Sequence, residues 1–355
     1  MALKVGIIGC GRPGRGQARL HAAGYKKIGA ELVALADVVE ENARGFQKEH
    51  GNGNEHIYTD YREMLKNETL DVVSICTWPH LHAPMVLDAA QAKVRAIHCE
   101  KPVAPSWGEA KRMVEMCEQR GVQLTFNHQR RFGEPFQRAR ELLKSGEIGD
   151  LIRLEGACDN LFDWGTHWFD MMFFYNDETP AEWVLGQMEW RGSRTVFGVP
   201  IERMGLSHVG FANGVQGMLV TGAAQKGWGA SNRLVGTEGV IEVGVFDRET
   251  KHETTSLRLM NAGSNGWRQI QTSENLHSDE AVARGIADLV EALQSGREPE
   301  LSGRRALRTT EVIMATYESS RRRGRVNLPL DVEESPLLAV LAENGAVPEG
   351  TLAGV

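Results

Sequence analysis

Asp163, His167 and Asp170 are spaced i, i+4 and i+7, which on a helix gathers three side chains on one face. An acid and an imidazole so arranged suit proton transfer at neutral pH. Asp163 would orient a hydroxyl group, His167 would take its proton, and Asp170 would hold the imidazole or face solvent. The plainer reading of His167 is a satisfied structural histidine. Trp168, Met171 and Met172 fall on other faces and read as core.

Two further clusters fit such chemistry. Gly9-Cys10-Gly11-Arg12-Pro13-Gly14 lies between a β-branched run and an amphipathic stretch, the context in which G-x-G-x-x-G cradles a pyrophosphate. Gly9 permits the tight turn, Gly11 the approach of backbone to phosphate, and Gly14 close helix packing. Pro13 suits the first positions of a helix, whose free N–H groups and dipole attract an anion. Asp37 follows Gly14 by 23 residues, where a carboxylate accepts hydrogen bonds from ribose hydroxyls and repels a 2'-phosphate. No arginine follows until Arg44, so NAD is preferred over NADP; a helix N-cap is the rival role for Asp37.

The second cluster is Glu100-Lys101-Pro102, directly after the apolar run Ala96 to Cys99. A lysine beside a carboxylate at the mouth of a buried strand is costly unless a ligand or partner offsets it. Lys101 is therefore a functional candidate, suited to lie between a nicotinamide ribose and a substrate hydroxyl, with a surface ion pair as the alternative. After Val72 to Cys76 comes Thr77-Trp78-Pro79-His80-Leu81-His82. Its H-x-H lacks a third ligand, so cofactor contact or helix capping is favoured over metal, and no metal is expected.

The elements that must position these residues follow from periodicity. Up to Phe126, short β-branched runs alternate with amphipathic stretches, the pattern of a doubly wound parallel sheet. Helix is expected over Arg15 to Ala23, Pro84 to Ala92 and Trp107 to Arg120. From Ile152 onward the pattern turns to longer β-type runs, with turns at Gly210/Gly214 and Gly236/Gly239, before helices over Ser278 to Ser295 and Ala306 to Ser320. The expected fold is α/β: a Rossmann domain over residues 1–126, an α+β domain with a large, mostly antiparallel open sheet over 127–330, and a tail over 331–355 with no clear signal beyond Leu337 to Leu341.

The 355 residues are 41% hydrophobic and 25% charged, enough for two cores. Apolar-rich stretches such as Val72 to Cys76 and Met171 to Tyr175 fall far short of the ~20 residues a bilayer span requires. No signal-peptide pattern opens the chain, so a cytoplasmic protein is expected, its five scattered cysteines reduced and mostly buried. A net charge of -7 disfavours nucleic acid. The basic cluster Arg321 to Arg323 with Arg325 reads as the solvated last turn of a helix, with a phosphate contact as the rival.

With these motifs in order, the chain resembles the Gfo/Idh/MocA oxidoreductases over about Lys4 to Leu330. The resemblance rests on Cys99-Glu100-Lys101-Pro102, on Asp163-x-Gly-x-His167-x-x-Asp170 and on Gly236-Thr237-Glu238-Gly239. It implies a held NAD(P), chemistry on sugars or cyclitols, and a homodimer or homotetramer through the C-terminal sheet. It assigns Lys101 as catalytic lysine, Asp163 as substrate-site aspartate and His167 as catalytic histidine. Thr77, His82 and Glu100 fall where the family contacts or shapes the cofactor site, beside the cofactor candidates Gly9, Gly11, Arg12, Pro13, Gly14, Asp37, His80, Lys101 and Asn127, the last with a helix-capping or ion-pair role as its rival. Gln129, Arg130, Arg131, Asn160, Trp164 and Trp78 are candidates to frame the substrate, with helix capping or ion pairing as the rival role for Gln129, Arg130 and Arg131. Two departures matter: Trp78 stands where the family has proline, and Asp159-Asn160-Leu161-Phe162 replaces its glycine-rich approach to the aspartate. The expected function is NAD-dependent oxidation of a secondary alcohol on a sugar or cyclitol. The alternatives are a redox-neutral glycosidase or lyase using bound NAD, and a non-catalytic NAD-binding sensor.

Overall fold

Six parallel strands in the order β3-β2-β1-β4-β5-β6 form the first sheet. They are β1 (Lys4–Ile8), β2 (Glu31–Ala36), β3 (His56–Tyr58), β4 (Val72–Ile75), β5 (Ala96–Cys99) and β6 (Gln123–Phe126), alternating with α1 (Ala18–Lys27), α2 (Glu40–His50), α3 (Tyr61–Asn67), α4 (Pro79–Gln91) and α5 (Trp107–Arg120). This computed structural model describes all residues except 1, 13–15, 192–193, 248–251, 344, 346, 348–349 and 352–355. Every residue of β4 and β5 is buried, as expected of parallel strands covered on both faces. The sheet reverses at β1, between β2 and β4, and the carboxyl ends there are where such folds bind ligands.

Two compact units divide the chain, and neither is continuous. The first holds residues 1–104, 109–129 and 279–307. Its late segment contains α8 (Asp279–Ser295). Val282, Ile286 and Leu289 of α8 join Ala18, Ala22 and Tyr25 of α1 in one buried cluster. A Cβ at Gly24 would sit 2.7 Å from Ile286 Cδ1, so the missing side chain lets the helices approach closely. Sequence order alone groups α8 with the sheet of residues 127–330; apolar matching places it on α1.

The second unit holds residues 105–108, 130–278 and 308–355. Its elements are α6 (Glu134–Lys144), β7 (Leu151–Cys158), α7 (Gly165–Tyr175), β8 (Ala181–Glu189), β9 (Arg194–Val196), β10 (Val199–Ile201), β11 (Met204–Phe211), β12 (Gln216–Gly222), β13 (Ala230–Gly236), β14 (Gly239–Phe246), β15 (Glu253–Asn261) and β16 (Arg268–Gln269). After α8 follow α9 (Gly303–Arg322), β17 (Val326–Asn327) and α10 (Pro336–Glu343). Nine strands join in the order β16-β15-β14-β13-β7-β12-β11-β8-β17. All pairs are antiparallel except central β7 with β12.

One face of this sheet packs beneath helices. Ser207 Oγ meets Thr316 Oγ1 of α9 at 2.9 Å, and a Cβ at Gly156 would lie 3.3 Å from Trp168 Cβ of α7. Gly236 and Gly239 flank the β13–β14 turn, but Gly210 is a strand residue: a Cβ there would strike the Trp183 indole at 2.1 Å. The C-terminal stretch is structured through α10, whose Leu337, Val340 and Leu341 are buried. The basic cluster is largely neutralised, with Arg321 2.6 Å from Glu318 and 3.0 Å from Glu343, and Arg322 3.1 Å from Asp331. Among the described residues no helix is long and apolar enough to cross a membrane.

Candidate active site

In the first unit the glycine turn rises from β1. Gly9 adopts φ +85° and Gly11 φ +70°, and a Cβ at Gly9 would lie 2.7 Å from the Cys76 carbonyl oxygen. Only glycine fits that approach. Arg12 is exposed, while Pro13 and Gly14 lie outside the described residues.

Asp37 directly follows β2, its carboxylate fixed by neighbouring donors. Oδ2 accepts from Gly11 N–H at 3.1 Å; Oδ1 accepts from Val39 N–H at 3.0 Å and Asn42 Nδ2 at 3.1 Å. Asp37 thus braces the start of α2 without being its N-cap, which is Val39. The large hydrophobic residues exposed in this unit, among those described, are Val38, Val39, Trp78 and Leu81. All four lie just past β2 or β4, at the carboxyl edge. A carboxylate acceptor, a backbone cradle closed to any Cβ and an apolar rim fit a dinucleotide with a free ribose 2'-hydroxyl.

The β4 and β5 exits are tied together. His82 falls within α4, which begins at Pro79 and runs through Pro84, so the expected boundary at Pro84 is one turn late. The His82 ring is wholly buried, with Nδ1 3.0 Å from the Pro102 oxygen and Nε2 3.1 Å from the Thr77 oxygen. It clamps the two turns together. Thr77 directs Oγ1 to Met85 Sδ at 3.4 Å, and the His80 ring meets Trp78 edge-on at 6.0 Å. Burial lowers the pKa of both histidines.

Beneath Lys101 lies a polar core that sequence reading missed. Glu100 Oε1 receives His21 Nε2 at 2.9 Å and Asn127 Nδ2 at 2.7 Å, while Oε2 receives the Lys101 N–H at 3.2 Å. Burial alone raises the Glu100 pKa, but the His21 and Asn127 hydrogen bonds and the Lys101 charge outweigh it, holding the carboxyl at about 2. Asn127 is spent on this carboxylate, although its Oδ1 remains buried without a partner.

In the second unit α7 begins at Gly165, so Asp163 precedes the helix and shares no helical face with His167 and Asp170. Competition from side-chain hydrogen bonding explains the late start. Asn160 Oδ1 accepts the Asp163 N–H at 2.6 Å, and Glu202 Oε1 accepts the Leu161 N–H at 2.6 Å. Glu202, on the turn before β11, is 2% exposed and carries no motif that would betray it. Burial raises its pKa, only partly opposed by Thr221, Leu161 and Tyr317.

The paired arginines diverge. Arg131 is saturated by Asp170, with Nε to Oδ2 and Nη2 to Oδ1 both at 2.9 Å, and by Glu178. Both Asp170 carboxylate oxygens are thereby engaged by Arg131, the ion-pair role that rivals a substrate contact for this arginine. Arg130 has no carboxylate partner among the described residues: its guanidinium carbon lies 4.4 Å from the Trp168 ring, 5.6 Å from Phe136 and 5.7 Å from Trp164, and Nη1 donates to the Leu276 oxygen at 3.0 Å. Burial lowers its pKa to about 10, so it stays cationic at neutral pH. The Trp164 ring also meets His167 at 6.5 Å and His277 at 6.1 Å. Around Trp164 the structure thus gathers His167, Arg130 and the unforeseen His277, while Gln129 is assigned to the first unit.

Comparison with known proteins agrees with this picture. Residues 3–128 match the model of an oxidoreductase family with an NAD-binding Rossmann fold. The chain is 30% identical over 373 residues to D-apiose dehydrogenase of Paraburkholderia graminis, covering 97% of this chain and 94% of that protein. It is 29% identical over 198 residues to myo-inositol 2-dehydrogenase of Thermotoga maritima, covering 51% of this chain and 57% of the relative. An oxidoreductase from Agrobacterium radiobacter, solved with NAD+, L-tartaric acid and magnesium, shares the fold with TM-score 0.75 at 23% identity, over 92% of this chain and 98% of that one.

Proposed function

Because the chain belongs to the Gfo/Idh/MocA family of NAD-binding oxidoreductases, we propose that it oxidises a secondary alcohol of a sugar or cyclitol, with Lys101 and His167 handling the hydroxyl proton. The observation that carries this reading is the Glu100-Lys101-Pro102 turn, where a buried, hydrogen-bonded carboxylate holds the lysine backbone in place. NAD, when bound, supplies the hydride acceptor. Gly9 and Gly11 admit its pyrophosphate, and Asp37 accepts the ribose hydroxyls. Lys101 polarises the substrate hydroxyl through its ammonium group, His167 accepts the proton, and Asp163 orients the hydroxyl. Trp164 offers an apolar face to the C–H surface of a polyol, with Arg130 behind it.

The names of the full-length and partial relatives, a D-apiose and a myo-inositol dehydrogenase, support a neutral polyol as substrate. A panel of aldoses, sugar acids and inositols with NAD or NADP, followed at the near-ultraviolet NADH band, tests the class. Turnover without NADH would mark redox-neutral chemistry instead; NAD binding without turnover would mark a sensor. Lys101→Met and His167→Gln should each lower kcat by about 10²-fold with smaller effects on KM, the range for a lost general acid or base. A rate within about two-fold of the parent would remove that residue from the reaction.

We also infer a homodimer or homotetramer through the uncovered face of the nine-stranded sheet. Leu185, Met204, Leu206 and Met260 are exposed and the strand register places them on that face.

A further inference from the structure

His21 sits in the fourth position of α1, wholly buried among Ala18, Ala22 and Tyr25. An apolar residue would fill such a place at no electrostatic cost, and replacing buried polar pairs by hydrophobic groups is often neutral or stabilising. Stability therefore does not explain an imidazole here. Its contacts do. Nδ1 lies 2.6 Å from Ser74 Oγ on β4, and Nε2 lies 2.9 Å from Glu100 Oε1 at the end of β5. The ring stacks at 4.6 Å on His98 of β5. His98 is kept neutral by burial and by the His21 ring, and its Nδ1 lies 2.9 Å from Thr125 Oγ1 of β6. Asn127, just past β6, supplies the second donor to Oε1 at 2.7 Å. With Oε1 held by two donors, Oε2 is left aimed at the Lys101 N–H, 3.2 Å away.

We propose that His21 is a positioning residue: by locking the Glu100 side chain it fixes the Lys101 turn to the helix that begins at the glycine loop. Nucleotide seat and lysine are thereby held in one frame, whichever polyol is used. The inference rests on Lys101 being the proton-handling lysine, and it deepens that reading by naming what holds the lysine in register. Ser74, whose hydroxyl can donate or accept, keeps the second ring nitrogen satisfied and so fixes the ring orientation.

The test needs no substrate. Nucleotide-free protein is treated with acetic anhydride and the acetylation rate of each lysine is read by peptide mass spectrometry. Loss of a buried hydrogen-bonded anchor worth about 1–2 kcal/mol should change the Lys101 rate by roughly five-fold or more in His21→Leu. Lys66, 73% exposed on α3, should keep its parent rate. His21→Gln, which retains one N–H donor toward Glu100, should restore much of the Lys101 rate. A parent-like Lys101 rate in His21→Leu, or no difference between the Leu and Gln variants, overturns the proposal. Loss of the parent's far-ultraviolet circular dichroism would show that His21→Leu has unfolded. The decision then passes to Asn127→Ala, which removes only the second donor to Oε1: a changed Lys101 with an unchanged Lys66 supports the proposal, and two unchanged rates overturn it. Failure of the functional reading is separately visible, as an undiminished kcat in Lys101→Met.

Discussion

Asp37 is oriented by three donors from its own surroundings before any ribose reaches it, so binding costs little side-chain entropy. Asp37→Ser removes an ionised acceptor whose hydrogen bonds are worth about 1.5–3 kcal/mol. NADH affinity, read by fluorescence titration, should fall by at least roughly ten-fold, and the preference over NADPH should narrow as the repulsion of a 2'-phosphate disappears. An unchanged preference would remove Asp37 from the ribose seat. Glu100 makes a separate prediction about pH. Its folded pKa of about 2 lies below the ordinary 4.5, so the stability it contributes is fully present above pH 4.5 and is lost as pH falls toward 2. Parent and Glu100→Gln should therefore differ in unfolding free energy by a few kcal/mol at neutral pH, and the gap should close across that window in acid-unfolding curves. A gap constant with pH would mean that the carboxylate charge is not what the pocket stabilises.

At the scale of elements, what could be read from the chain depended on whether local pattern or distant packing decided the outcome. The parallel strands were legible because β4 and β5 are short, mainly apolar runs buried along their whole length, and the glycine turn because its φ values admit few residues other than glycine. The start of α7 was not legible. Periodicity carries the helix back to Asp163, but Asn160 and Glu202 capture the Asp163 and Leu161 N–H groups, and Glu202 is some forty residues away in sequence. Local pattern marks β11 and β15 weakly, because Gly, Ser, Thr and charged residues dilute their β-type signal. The His21 network was invisible because nothing in a lone histidine announces partners drawn from β4, from β5 and from the turns just past β5 and β6. The position of α8 is another case of distant packing, and it is testable. Ile286→Ala empties a site where the side chain is wholly buried against α1 and should cost about 2–5 kcal/mol. The destabilisation should appear in hydrogen exchange as lost protection of α1 and β1, more than 250 residues upstream. Loss confined to α8 would show that it is a dispensable cover.

At the scale of the molecule, the nine-stranded sheet poses a burial problem that each chain leaves unsolved. Its inner face is lined by residues such as Leu154, Leu219, Leu234 and Ile241, all nearly or wholly buried. The opposite face splits into an apolar part, with Leu185 46% and Leu206 42% exposed, and a charged row running across the strands. In that row Arg233 bridges Glu155 at 2.8 Å and Glu242 at 2.7 Å, and Glu242 pairs again with Arg258. The ion-pair row satisfies itself, so it neither calls for a charged partner nor repels a like surface. The exposed leucines and methionines are the residues that gain from being covered, at about 25 cal/mol per Å² of apolar area removed from water, and contiguous patches of this kind mark association sites. A second copy of the same face brings the same apolar residues and the same neutralised row, which is the self-complementarity a two-fold interface requires. Light scattering on size-fractionated protein should therefore give the mass of a dimer or tetramer. The double variant Leu185→Lys with Leu206→Lys, which would bury unpaired ammonium groups in such an interface, should shift it to monomer with its far-ultraviolet circular dichroism unchanged. A parent protein that is monomeric at every concentration tested, or a double variant that still assembles, would move the interface away from this face.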